Sequence, residues 1–133
     1  MSRGQALIEL AVCAPVVMLL TLGAVAGGQV IDARAGLDAA TSAAAAAAAR
    51  APDPASAQSA ARARFMSLVA DYPLTSTRLS IASGQFGRRD QVIAIATGAV
   101  DISWASLVFA QRLTLSSRAT VQLEPWRTHR QSA

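Results

Sequence analysis

The chain has 133 residues, with twelve basic and eight acidic side chains for a net charge of +4, one Cys and one His. That length leaves room for one small domain beside a membrane segment. Its 53% hydrophobic content is dominated by Ala, with aromatics at 5%, which excludes a thick aromatic core; the lone Cys excludes an intramolecular disulfide, and arginines scattered from Arg34 to Arg130 form no nucleic-acid stripe.

The first element is apolar. From Leu10 to Ile31 no side chain carries a charge, and as a helix rising about 1.5 Å per residue this stretch is about 33 Å long, enough to cross a hydrocarbon core of about 30 Å. Glu9 stands at its mouth. An acid beside or inside a spanning stretch is costly and is a functional residue by default, with a partner to be found. The plainer reading makes it a boundary marker that reaches to the interface. Cys13 reads as packing, because Val12 and a short apolar lead-in do not suit a lipid anchor. Pro15 predicts at most a local bend, and Gly23, Gly27 and Gly28 would admit a second helix closely. Arg3 in the leader places the N-terminus in the cytoplasm and the rest of the chain outside. The same segment also fits a secretory signal peptide cut after Ala26, at Ala24-Val25-Ala26. Against that stands an acidic Glu9 between the basic end and the apolar core.

Asp32 to Arg50 includes seven consecutive alanines, Ala43 to Ala49, the strongest helix-forming composition available. The spanning helix is expected to continue as one rod over Ala6 to Arg50, interrupted at most near Pro15 and Gly27-Gly28. Its smooth alanine surface reads equally as a helix-to-helix contact in a filament core and as low complexity that happens to be helical. Pro52 and Pro54 stop it, and Asp53-Pro54 supplies the N-cap and first position of a second helix reaching Ala70. That helix would bury Ala57, Ala61, Phe65, Leu68 and Val69 and leave Arg62 and Arg64 solvated.

Strand signals follow. Thr77 to Ser83 and Gln91 to Thr97 form a hairpin around a turn at Gly84 to Arg89, whose Arg88-Arg89-Asp90 reads as solvated turn chemistry, and Gly98 breaks or bulges the second strand. Asp101 to Ala110 is a loop or short helix in which Trp104, Leu107, Val108 and Phe109 form the most apolar soluble patch. Core against a helix is the expectation for it, a docking surface the alternative. Leu113, Leu115, Ser117, Ala119, Val121 and Leu123 then alternate with polar residues as a long half-buried strand. Trp126 to Ala133 is a polar tail. The fold class is α+β: a long N-terminal transmembrane helix extended by an Ala-rich helix, a second helix, and an antiparallel sheet of about three strands.

Catalytic chemistry has no constellation to rest on. His129, the one His, has no Cys or second His near it; no G-x-S-x-G elbow accompanies the serines; Gly84 and Gly87 open no helix that would cradle phosphate. No enzyme, cofactor or metal site is expected.

Gly4, Gln5 and Glu9 together resemble the processing site of the type IV prepilin superfamily: a short basic leader ending in Gly, then an apolar helix with Glu fifth after the cut. The whole layout, with its Pro-containing apolar run, Ala/Arg-rich extension and β-rich tail, is similar to the TadE-like minor pseudopilins of tight-adherence (Tad, or Flp) pili. The resemblance implies a leader of residues 1–4, a transmembrane and Ala-rich helix over 5–51, and a soluble helix-plus-sheet domain over 52–133. It implies cleavage between Gly4 and Gln5, and pairing of Glu9 with the new amine of a neighbouring subunit. Burying one charge alone is costly, whereas a placed pair offsets much of that and selects a register between subunits. The implied partners are other pilins and pseudopilins, a prepilin peptidase, the pilus assembly platform and membrane lipid. The implied place is the bacterial cytoplasmic membrane, single-pass, in pilus assembly, secretion or adhesion, with entry into a surface filament as one outcome. The alternative is a small binding domain, secreted or anchored, released after Ala26.

Overall fold

A computed structural model describes residues 2–83, 91–105 and 112–123. The turn at Gly84 to Arg89 with Arg88-Arg89-Asp90, the patch residues Leu107, Val108 and Phe109, and the tail with His129 lie outside these.

α1 runs from Arg3 to Arg50 without interruption, passing through Pro15, Gly27 and Gly28. At about 1.5 Å per residue its 48 residues extend about 72 Å. α2 (Pro54–Val69) starts as the residues dictate: Ser56 N–H donates to the Asp53 carboxylate at 2.8 Å, and Pro54 fills a position whose N–H has no helical partner. Three strands follow, β1 (Thr75–Ser83), β2 (Gln91–Asp101) and β3 (Arg112–Gln122), with one 3-10 turn at Ser103–Ala105. They form an antiparallel meander in the order β1-β2-β3.

The sheet has a covered and an open face. Val92, Ala96, Gly98 and Val100 of β2 pair with Val121, Ser117, Leu115 and Leu113 of β3, and this side lies under the helices: Val92 and Ala96 join Leu37, Ala40, Ala44 and Ala48 of α1 and Phe65 of α2 in one core. Val100 and Ile102 pack with Ala33 in a second cluster lower on α1. On the open face Ile95 sits between Ser80 and Arg118, 43% exposed.

Two expectations change. β2 does not end at Thr97, because Gly98 is neither a break nor a bulge: it pairs in register with Leu115, and β2 continues to Asp101. Its missing side chain leaves room for neighbours, since a Cβ there would stand 3.0 Å from Leu74 Cδ2 and 3.7 Å from Leu37 Cδ1. The irregularity falls in β1, where the register shifts between Thr75 and Arg78 and Ser76 takes a φ of 52°. Trp104 is the second change: it is 45% exposed rather than core, held by its turn at the domain's edge.

The alanine run is also settled. Ala44, Ala45 and Ala48 are buried and Ala43, Ala46, Ala47 and Ala49 half-buried, with Ala57 and Ala61 of α2 in the same core. Its close helix contact is made within this chain. The core therefore crosses the junction at residues 51 and 52, because the second half of α1 supplies one of its walls.

Candidate functional site

α1 has two environments. Every described residue from Ser2 to Thr21 is exposed, and the first buried side chain is Ala26. Leu7, Ile8, Leu10, Val12, Met18 and Leu20 are each more than 60% exposed, a continuous apolar sleeve far larger than the single exposed hydrophobics of an ordinary surface. It has the length and composition of a membrane span. Thr21, a polar side chain within it, is satisfied locally: its hydroxyl donates to the Val17 carbonyl at 2.8 Å, as a helix in lipid requires.

Gly4, Gln5 and Glu9 lie at the far end of the sleeve, in the first two turns of α1, all exposed. Gln5 N–H donates to the Ser2 carbonyl at 3.1 Å, so the helix begins ahead of Gly4, at Arg3. Gln5 and Glu9 are four residues apart and share one helix face, about 6 Å along the axis. Glu9 makes no hydrogen bond or ion pair among the described residues. Ala26, where the folded domain begins to cover the helix, is about 26 Å away along the axis at about 1.5 Å per residue. The described residues of the chain's own domain therefore supply Glu9 with no counter-charge.

Ala24-Val25-Ala26 lies inside the unbroken helix, with Ala26 at 1% exposure under the domain. A shallow open groove beside it is lined by Val30, Ile31, Arg34, Ala35, Asp38 and Leu115. Across its rim Arg34 Nε donates to Asp38 Oδ2 at 3.3 Å, both half exposed, a pair of small energetic consequence. Cys13 is exposed on the sleeve. Among the described residues no three His, Cys, Asp or Glu side chains converge as a metal site would need.

The lower edge of the domain carries a contact the sequence did not announce. Trp104 Nε1 donates to Gln29 Oε1 at 3.3 Å, across 75 residues of sequence. In the same turn Ser103 N–H donates to Asp101 Oδ1 at 2.9 Å, holding that carboxyl below the usual carboxylate range. Gln29 was the available signal, as the one amide in an otherwise uncharged run; its partner could not be read from spacing.

Comparison with known proteins separates the two parts of the chain. A family model described as TadE-like protein matches residues 4–50, which is α1 without its first residue. No curated protein and no solved structure matches the chain. Over residues 4–50, the helix that carries Gly4, Gln5 and Glu9, the chain is similar to the TadE-like family.

Proposed function

We propose that the protein is a non-enzymatic, membrane-anchored minor pseudopilin that takes part in assembling or priming a Tad-type pilus or a related secretion filament. The observation that carries this reading is the bare apolar sleeve of α1, with Gly4, Gln5 and Glu9 at the end remote from the folded domain. A prepilin peptidase acting at the cytoplasmic face would find the Gly4-Gln5 bond exposed, and the new amine on Gln5 would lie one turn from Glu9. Within an assembly the Glu9 carboxylate meets the amine of an adjacent pilin or pseudopilin, while the α+β domain stands outside the cytoplasmic membrane and meets the other pilus components.

The direct test is the mass of the mature protein after co-expression with a prepilin peptidase. The expected product lacks Met1 to Gly4 and starts at Gln5, and Gly4→Leu blocks its formation. A product starting at Gly27 would instead identify a conventional signal peptide and overturn the reading.

A further inference from the structure

The apolar run of the sequence and the bare part of α1 do not coincide, and their offset locates the membrane. Leu10 to Ile31 is the uncharged stretch, but the domain already covers α1 at Ala26 and is tied to it at Gln29 by Trp104. If the uncharged stretch filled the hydrocarbon, Gln29 and the turn bearing Trp104 would be submerged, along with the ionised Asp101 beside that turn. Submerging Asp101 and its register partner Arg112 together with Gln29 would put a whole polar edge of the domain in hydrocarbon, a costly placement.

We propose that the hydrocarbon span is Ala6 to Val25, and that the turn Ser103–Ala105 rests on the extracytoplasmic lipid surface with Trp104 in the headgroup layer. This rests on the membrane-anchored reading given above. Three observations converge on it. Ala6 to Val25 is about 30 Å long at about 1.5 Å per residue, the thickness of a hydrocarbon core. Arg3 and Gln29 are about 39 Å apart on the same rise, close to the about 40–45 Å that separates the two outer polar faces of a bilayer. The chemistry of the lower edge is interfacial. Trp104 is half exposed with its indole N–H bonded, the combination that favours Trp at a boundary with one apolar and one wet side. The register pair Asp101 and Arg112 stands beside it, and the first charges on α1 beyond the sleeve are Asp32 and Arg34. The occupant of this edge is lipid because the spanning sleeve runs directly into it.

The placement is tested by thiol accessibility in the full-length chain, reconstituted in phosphatidylcholine and phosphatidylglycerol vesicles, with Cys13→Ala as background. Val25→Cys and Ile31→Cys are both well exposed on the protein, at 51% and 70% for the native side chains, so protection from a membrane-impermeant maleimide reports lipid. Ile31→Cys is expected to react and Val25→Cys to be protected until SDS is added. Protection of both moves the span to Leu10 to Ile31 and overturns the proposal; reaction of both overturns it as well. Trp104 is read separately in a Trp126→Phe chain with lipids brominated at the 6,7 or the 11,12 acyl positions. Stronger quenching by the 6,7 lipid is expected. No quenching in a chain that still floats with vesicles means that a protein partner or water covers Trp104, and overturns the lipid contact alone. Failure to float with vesicles removes the membrane-anchored reading itself, and the proposal with it.

Discussion

Glu9 is isolated from every charge among the described residues of its own domain, and that isolation makes it a residue for another molecule to complete. With the span at Ala6 to Val25 it lies about one helical turn inside the hydrocarbon, deeper than its place before the uncharged run suggests. An unpaired carboxylate is disfavoured at that depth, and truncating one member of a buried pair typically costs about 3–5 kcal/mol, because the other charge is left alone. Glu9→Gln in the cleaved chain is therefore expected to abolish co-purification with other pilus subunits while leaving membrane insertion intact. Unchanged co-purification would return Glu9 to a boundary marker. Gly36 makes a second claim at this scale, purely about packing. It is buried beneath the ring of Tyr72, and a Cβ there would fall on the ring carbons themselves. Gly36→Ala is expected to destabilise the domain by about 1–3 kcal/mol. Because the clash is with one side chain, combining it with Tyr72→Ala should be less than additive, and a double-mutant cycle of thermal midpoints checks this.

The elements were legible to different degrees, and the differences are physical. α2 was readable to within a residue because Asp53-Pro54 is a local start signal and its apolar positions recur at helical spacing; Ala57, Ala61, Phe65 and Val69 are all buried. β3 was readable for the same reason with a period of two. Gly98 was misread because glycine marks both bulges and close approaches, and only the positions of Leu37 and Leu74 decide between them. The alanine run was left undecided because composition gives a helix its smooth surface without naming what lies against it. Its packing makes a prediction. Ala44→Leu, within the core that α1 shares with α2 and β2, is expected to cost about 1–3 kcal/mol by overpacking, while Ala39→Leu on the exposed side should stay within about 0.5 kcal/mol. The cap of α2 carries a pH dependence. The Ser56 backbone N–H holds the Asp53 carboxyl below its ordinary value. Its stabilisation is therefore complete above the unfolded pKa of about 4 and is lost as pH falls through the lower folded value. Asp53→Asn keeps an acceptor without a titrating charge, and should flatten this part of the acid limb of a pH series of thermal midpoints.

At the scale of the molecule, α1 serves two solvents with one continuous helix. Its residues up to Val25 contribute no buried side chain to the domain, whereas Ala26, Ala33, Gly36, Leu37, Ala40, Thr41, Ala44, Ala45 and Ala48 are buried in it. Thr41 shows how closed that interior is: fully buried, it satisfies its hydroxyl on the Leu37 carbonyl at 2.6 Å. A cut between the two halves therefore separates anchor from fold, whereas a cut at the end of α1 removes one wall of the core. A chain beginning at Leu22 is expected to be soluble without detergent and to unfold cooperatively, with a thermal midpoint within a few degrees of the full-length protein in micelles. A chain beginning at Pro52 retains α2 and the sheet but leaves Phe65, Val92 and Ala96 without the α1 residues that share their core. Removing a helix from a two-layer domain of this size exposes more apolar surface than its marginal stability can absorb. That shorter chain should lack a cooperative transition and dispersed amide resonances, and adding a peptide of residues 26–51 in trans should restore both. A folded 52–133 fragment would mean that the sheet and α2 hold together unaided, and that the alanine face of α1 is a docking strip rather than part of the core.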